Sequence, residues 1–96
     1  MKAPAVYIMA SKRNGTLYTG VTSDLSRRVY EHKQARTASF TQQHGCTLLV
    51  WYENYERMDE AIAREKQIKA GPRKAKLRLI ERHNADWRDL YDDLAQ

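Results

Sequence analysis

Apolar and polar positions follow two periods along this chain. Residues 5–9 (Ala-Val-Tyr-Ile-Met) form an apolar run rich in β-formers and predict a strand. Asn14-Gly15 is a strong hairpin signal, because both residue types tolerate positive φ. Residues 16–21 (Thr-Leu-Tyr-Thr-Gly-Val) predict the returning strand. A two-residue turn at Asn14-Gly15 pairs Arg13 with Thr16 and Ser11 with Tyr18. Ser11 and Tyr7 are four apart on one strand, so Tyr7 and Tyr18 share a face of the hairpin. A slip of one residue would separate them.

A helix follows, with Thr22, Ser23 or Asp24 as its cap. Leu25, Arg28, Val29 and His32 recur at i, i+3, i+4 and i+7, a single stripe. Residues 34–46 read as a polar loop ending at Gly45, and Leu48 to Tyr55 as a third strand. A second helix runs from about Asp59 to Ala70 and stops at Gly71-Pro72. Arg73 to Arg82 is a basic helix with apolar positions at Leu77, Leu79 and Ile80. A last helix, about 85–95, repeats Trp87, Leu90, Tyr91 and Leu94 at helical spacing, a face suited to core or dimer contact. No repeat, low-complexity tract or linker interrupts the order. The pattern predicts one α+β domain over residues 1–96, with a core at about 4–82 and a C-terminal helix at about 85–95.

The 96 residues, 42% of them hydrophobic, allow one modest core and exclude a disordered chain. No apolar run approaches the roughly 18 residues that span a bilayer, so no membrane partner is expected. The N-terminus, one lysine and then Ala-Pro-Ala-Val-Tyr, is unlike a signal peptide, and cytoplasm is the default location. The lone Cys46 agrees, since it cannot form an internal disulfide. The net charge of +5 is uneven: residues 1–36 carry seven Lys/Arg against two acids, and residues 64–83 carry eight against two. Two basic segments separated by acidic ones suggest a positive face for a polyanion.

Some polar residues sit where packing prefers apolar ones. Glu65 lies beside the stripe of Met58, Ala61, Ile62 and Ile68. It reads either as a boundary carboxylate paired with a Lys or Arg, or as a ligand for a hard cation. Arg28 and His32 share the stripe of Leu25 and Val29, one turn apart. Singly they read as a snorkelling arginine and a helix-terminus histidine, and Tyr7 and Tyr18 as packing tyrosines. Together the five make a coherent phosphodiesterase set. Such chemistry needs charge stabilisation on phosphate oxygens, an activated water and a proton for the leaving oxygen.

The ordered motifs resemble the GIY-YIG nucleases, especially the small standalone bacterial members. Ala5-Val6-Tyr7 is followed eleven residues on by Tyr18-Thr19-Gly20. The helix pattern is Asp24-Leu25-Ser26-Arg27-Arg28-Val29-Tyr30-Glu31-His32, and the later helix is Glu60-Ala61-Ile62-Ala63-Arg64-Glu65-Lys66-Gln67-Ile68-Lys69. These cover residues 5 to about 80. The resemblance implies a β-β-α-β-α-α order, a small three-stranded antiparallel sheet flanked by helices. It implies a metal-dependent DNA endonuclease using one Mg²⁺ or Mn²⁺, with DNA repair or recombination as its setting. Tyr7 and Tyr18 match the two motif tyrosines, one of which helps activate water. Arg28 matches the arginine on the phosphate, His32 a position held by histidine or tyrosine, and Glu65 the single metal-binding glutamate. Gly20 matches the motif glycine, which would let backbone approach substrate. Ala5 and Thr19 depart mildly from the motif. Val21 replaces a lysine of the excision-repair relatives, which argues against an excision-repair subunit. The extra domains of larger relatives are missing, so substrate choice falls to this domain, a homodimer or a partner protein.

Two other readings compete. A nucleic-acid-binding module with little or no cleavage would use Lys66, Lys69, Arg73, Lys74, Lys76, Arg78 and Arg82 on phosphates. A protein-interaction domain would use the Trp87/Tyr91 face and the acidic tail. RNA stays open as a substrate, because no residue tells ribose from deoxyribose.

Overall fold

The computed structural model describes residues 3–34 and 45–94. The loop expected at 34–46 lies mostly outside them. Strands β1 (Ala5–Ala10), β2 (Leu17–Thr22) and β3 (Leu48–Asn54) form one antiparallel sheet in the order β2-β1-β3. Helix α1 (Leu25–Gln34) lies between β2 and β3 in sequence, and α2 (Met58–Ala70) and α3 (Arg73–His83) follow β3. The order is the expected β-β-α-β-α-α, with a four-residue α4 (Tyr91–Leu94) added at the end.

β1 is buried throughout, which explains its unbroken apolar run: both its faces are covered. Val6, Ile8 and Ala10 face one core with Ala61 and Ile68 of α2 and Ile80 of α3. Ala5, Tyr7 and Met9 face the other, with Leu25 and Val29 of α1. A bulge opposite Ile8/Met9 shifts the β1–β3 register, so Trp51 pairs with Ile8 but Leu49 with Met9.

The hairpin differs from expectation by two residues. Its loop is Lys12–Gly15 rather than Asn14-Gly15 alone, closed by Gly15 N to Lys12 O at 2.9 Å and by Ser11 N to Thr16 O at 3.0 Å. Asn14 alone takes positive φ there, at 59°, as in a turn of type I geometry rather than a two-residue one. Met9 therefore pairs with Tyr18, and Tyr7 with Gly20. A two-residue shift preserves the alternation, so Tyr7 and Tyr18 still share a face.

Asp24 caps α1, its Oδ1 accepting from Arg27 N at 3.3 Å. Helix α2 has no side-chain cap; Asp59 and Glu60 fill its first turn instead. Pro72, with φ −72° and ψ 160°, ends one helix and begins the next.

The helix expected at about 85–95 is absent except for α4. The residues at helical spacing serve different cores: Trp87 packs with α2 and α3, whereas Leu90, Tyr91 and Leu94 pack on the α1 side. No single helix could face both. Side chains replace the helical ladder. Asn84 Nδ2 donates to Val50 O (3.1 Å) and Arg88 O (2.8 Å), and its Oδ1 accepts from Arg88 N (3.0 Å). Trp87 turns the chain at φ 56°. Leu90 N then donates to Leu49 O at 2.7 Å, while Asp89 Oδ1 accepts from Leu49 N at 3.2 Å. The segment thus satisfies the outer edge of β3 at Leu49. Lys33 of α1 ties to it through Asp89. No helix among the described residues is long and apolar enough to cross a membrane.

Replacing Asp89 strands Leu49 N and Tyr91 N, to which it is bonded at 3.2 and 3.1 Å. Asp89→Ala should lower unfolding free energy by about 2 kcal/mol in urea titration. A loss under about 0.5 kcal/mol would show that the strap does not depend on this carboxylate.

Candidate active site

The site begins with a glycine. Tyr7 lies across the β1–β2 pair from Gly20, and a Cβ there would meet the Tyr7 Cζ and hydroxyl at 2.6 Å and Tyr18 Cε2 at 3.0 Å. Gly20 is therefore a bed for the Tyr7 ring within the protein, a use the sequence did not reveal. From it the Tyr7 hydroxyl reaches His32 Nε2 at 2.9 Å.

Helix α1 supplies His32 because its stripe faces the sheet. Leu25, Val29 and His32 are buried on it, and Arg28 lies one turn before His32. Tyr7, Tyr18 and His32 cluster, with ring centroids 6.2, 5.7 and 5.5 Å apart. Burial pushes the Tyr7 phenol up to about 12, against the pull of the Arg28 guanidinium. Burial, reinforced by the Arg28 charge and opposed by Glu31, lowers the His32 imidazole to about 4. The hydrogen-bonded pair is thus neutral through the physiological range. Arg28 Nη1 is 3.3 Å from Glu31 Oε1, and Arg27 Nε is 3.4 Å from Glu31 Oε2. One carboxylate orients both guanidinium groups.

Glu65 comes from the opposite layer. α2 packs on β1 and β2, and its last turns reach the outer edge of β2. Glu65 Oε2 lies 3.0 Å from Lys69 Nζ, and the Lys69 ammonium lies 6.0 Å from the centroid of the Tyr18 ring. The Glu65 charge is also felt at Tyr7, where it raises the phenol slightly. The five expected residues therefore gather around the β2 edge: Tyr7, Tyr18, Arg28 and His32 as one packed group, Glu65 beyond Tyr18. Among the described residues no three His, Cys, Asp or Glu side chains form a metal cage.

The expected phosphate-binding cations divide. Lys69 and Lys76 line a concavity of about 300 Å³ beside Leu17, Tyr18 and Thr19. Lys76 also lines a second groove of about 310 Å³ between α2 and α3, with Arg64, Ile68, Arg78, Leu79 and Arg82. Arg73 is engaged structurally, donating to Asn14 O at 2.9 Å and Gly15 O at 2.7 Å. It anchors α3 to the hairpin loop. Lys66 and Lys74 are exposed and line neither hollow. Sequence reasoning missed the Glu31 bridge, and it expected a Lys or Arg partner for Glu65 without naming Lys69. Both were written in helical spacing, Arg27/Glu31 and Glu65/Lys69 at i,i+4.

The sheet thus carries paired tyrosines under an Arg-His helix, with a glutamate from a later helix. The chain belongs to the GIY-YIG family: the family model described as the GIY-YIG catalytic domain matches residues 3–86. Family membership implies a nucleic-acid substrate, and these nucleases generally depend on a divalent metal. Similar proteins include a UPF0213 protein of Staphylococcus aureus strain Mu3, 40% identical over 81 residues, covering 84% of this chain and 98% of that protein. The UPF0213 protein SAV0488 of strain Mu50 matches to the same extent. The solution NMR structure of the UPF0213 protein BH0048 from Bacillus halodurans is similar with a TM-score of 0.56 and 28% identity, over 90% of each chain. That likeness bears out the α+β fold.

Two outcomes follow from the geometry. An unfolded histidine takes a proton near 6.5, whereas folded His32 resists until about 4. The unfolded state therefore binds more protons between these values. His32 contributes stability in full above about pH 6.5 and loses it as pH falls toward 4. From pH 7.5 to pH 5, urea titrations should show a His32-dependent loss of about 2 kcal/mol, absent in His32→Phe. A variant losing as much as wild type would remove His32 as the cause. Gly20→Ala should displace the Tyr7 ring, costing about 1–3 kcal/mol and breaking the bond to His32. The His32 ring resonances in NMR would report that break. Unchanged resonances would mean that the strand, not Tyr7, gives way.

Proposed function

We propose that this protein is an endonuclease hydrolysing phosphodiester bonds in DNA, in repair or recombination, with one Mg²⁺ or Mn²⁺ held by Glu65. The observation that carries this reading is the meeting of two layers at the β2 edge. Tyr7, Tyr18, His32 and Arg28 come from one side, Glu65 and Lys69 from the other, within 6.0 Å between the Lys69 ammonium and the Tyr18 ring centroid. Hydrolysis of a phosphodiester builds negative charge on oxygens, which fixed donors and cations stabilise best in a shielded site.

Glu65 fits a hard divalent ion. Its side chain is only 14% exposed and its carboxylate already draws a cation, the Lys69 ammonium at 3.0 Å. Mg²⁺ commonly takes one or two carboxylates and leaves its other positions to water and phosphate oxygens, so one glutamate suffices. When bound, the ion would neutralise charge on the phosphate. Arg28 would grip two phosphate oxygens through its fork, with Glu31 keeping the guanidinium aimed. Tyr18, which lines the concavity, would orient the attacking water. Tyr7 is buried and its phenol is held near 12, so it stays protonated. Tyr7 Oη and His32 Nε2 would hold one shared proton between neutral groups and fix the ring under the reacting phosphate.

The second reading, a nucleic-acid-binding module, has one observation in its favour: Lys69 already neutralises the only acid brought to the site from α2. The separating experiment incubates the protein with supercoiled plasmid, single-stranded DNA, branched DNA and RNA, in Mg²⁺, Mn²⁺ or EDTA. Wild type should cleave DNA only with metal. Glu65→Gln should lose at least about 10³-fold in rate while binding DNA at low salt within about threefold of wild type. Tyr18→Phe should lose about 10²-fold in kcat with similar binding. A Glu65→Gln protein that cleaves like wild type would sink the metal-ligand role. No cleavage of any substrate would favour the binding module.

A further inference from the structure

We propose that Lys69 competes with the metal for Glu65 and is drawn off it by the substrate phosphate, so that metal and nucleic acid bind cooperatively. The inference deepens the proposed function and rests on Glu65 as the metal ligand.

Glu65 and Lys69 stand at i,i+4 on α2 in the favourable order, glutamate first. An ordinary helix-surface pair has both ends in water. Here the Glu65 side chain is 14% exposed and the Lys69 side chain 51%, with 3.0 Å between their charged atoms. The more exposed side chain is the one with room to swing into solvent, so in this proposal the pair opens at the lysine.

Lys69 has somewhere to go. It lines the concavity beside Tyr18, together with Lys76. Lys76 Nζ donates to Gly71 O at 3.1 Å and so is already held by backbone. A phosphate entering this concavity meets Lys69 as its mobile cation. The ion of the proposed function, in contrast, takes Glu65 itself, the carboxylate that Lys69 now holds. Two cations cannot share one carboxylate oxygen at contact distance without strong repulsion.

The free energies then link. In the free protein a metal ion at Glu65 meets the Lys69 ammonium on the same carboxylate, with no other anion to draw it off. With phosphate present, the ammonium transfers to a new anion and the carboxylate is released. Each ligand thereby removes a cost from the other, and the coupling is reciprocal. Sulfate, phosphate or high salt would act on the same pair non-specifically.

The test measures Mn²⁺ binding to the intact protein at low ionic strength, from loss of the free ion's EPR signal. Wild type, Lys69→Met, Lys69→Arg and Glu65→Gln are compared. Lys69→Met should bind Mn²⁺ about fivefold more tightly than wild type, and Lys69→Arg should match wild type. Glu65→Gln should lose the site. A second arm follows anisotropy of a labelled DNA oligonucleotide in Ca²⁺ or EDTA. The ratio of the two affinities should be larger for wild type than for Lys69→Met. Equal Mn²⁺ affinity in wild type and Lys69→Met, with Glu65→Gln still losing the site, would overturn this inference and leave the metal reading intact. Mn²⁺ binding indifferent to Glu65→Gln, or absent from every form, would overturn both.

Discussion

The contact between the Tyr7 hydroxyl and His32 Nε2, 2.9 Å long and buried, joins the central strand to α1. Much else is arranged around it. The ring needs a bed, which only a glycine at position 20 leaves open. Position 20 faces Tyr7 only because the hairpin closes over four residues rather than two. The imidazole must stay neutral inside the protein, and burial together with Arg28 keeps it so. Arg28 in turn is shared between the Tyr7 phenol and the Glu31 carboxylate. Each of these is a local choice, and they agree with one another, as expected of a sequence that specifies one site.

The two edges of the sheet are treated differently. The outer edge of β3 is met at Leu49 by Asp89 and Leu90, whose bonds to it are 3.2 and 2.7 Å. β2 borders a concavity rimmed by Lys69 and Lys76 instead. Exposed edges invite pairing with other chains, and lysines are a common defence. Here the same lysines would meet a polyanion. A positive edge both discourages strand addition and attracts phosphate, so protection and substrate binding need not be separate devices.

How much was legible depended on whether a signal was local. The strands, α1, α2 and α3 follow from period and punctuation, because both sheet faces are covered by amphipathic helices. The shared face of Tyr7 and Tyr18 survived a wrong turn type, since an even shift keeps the pleat in phase. The C-terminal helix misled for the opposite reason. Trp87 and Leu90 have helical spacing, but the chain crosses from one core to the other between them. That crossing is set by Asn84 reaching Val50 O at 3.1 Å, a contact over 34 positions that no window contains. The site residues were legible as a set through resemblance. Their couplings were less so: Gly20 under Tyr7 is a cross-strand fact, and the basic run hid that Arg73 binds backbone while Lys76 borders two hollows.

Both charged residues central to the proposed chemistry are neutralised in the resting protein, Arg28 by Glu31 at 3.3 Å and Glu65 by Lys69 at 3.0 Å. Each pair keeps a solvent-accessible partner: the Arg28 and Glu31 side chains are 35% and 31% exposed, and the Lys69 side chain 51%. Such pairs are individually weak and cheaply exchanged. Each group has its partner on its own helix, about one helical turn away. Under the proposed function a phosphodiester, carrying one negative charge and several oxygens, would replace Glu65 at Lys69, while Glu31 keeps Arg28 aimed. Under that proposal the Glu65–Lys69 pair is a placeholder for substrate and ion, and the modest net charge of +5 understates how much positive charge the site would turn toward its ligand.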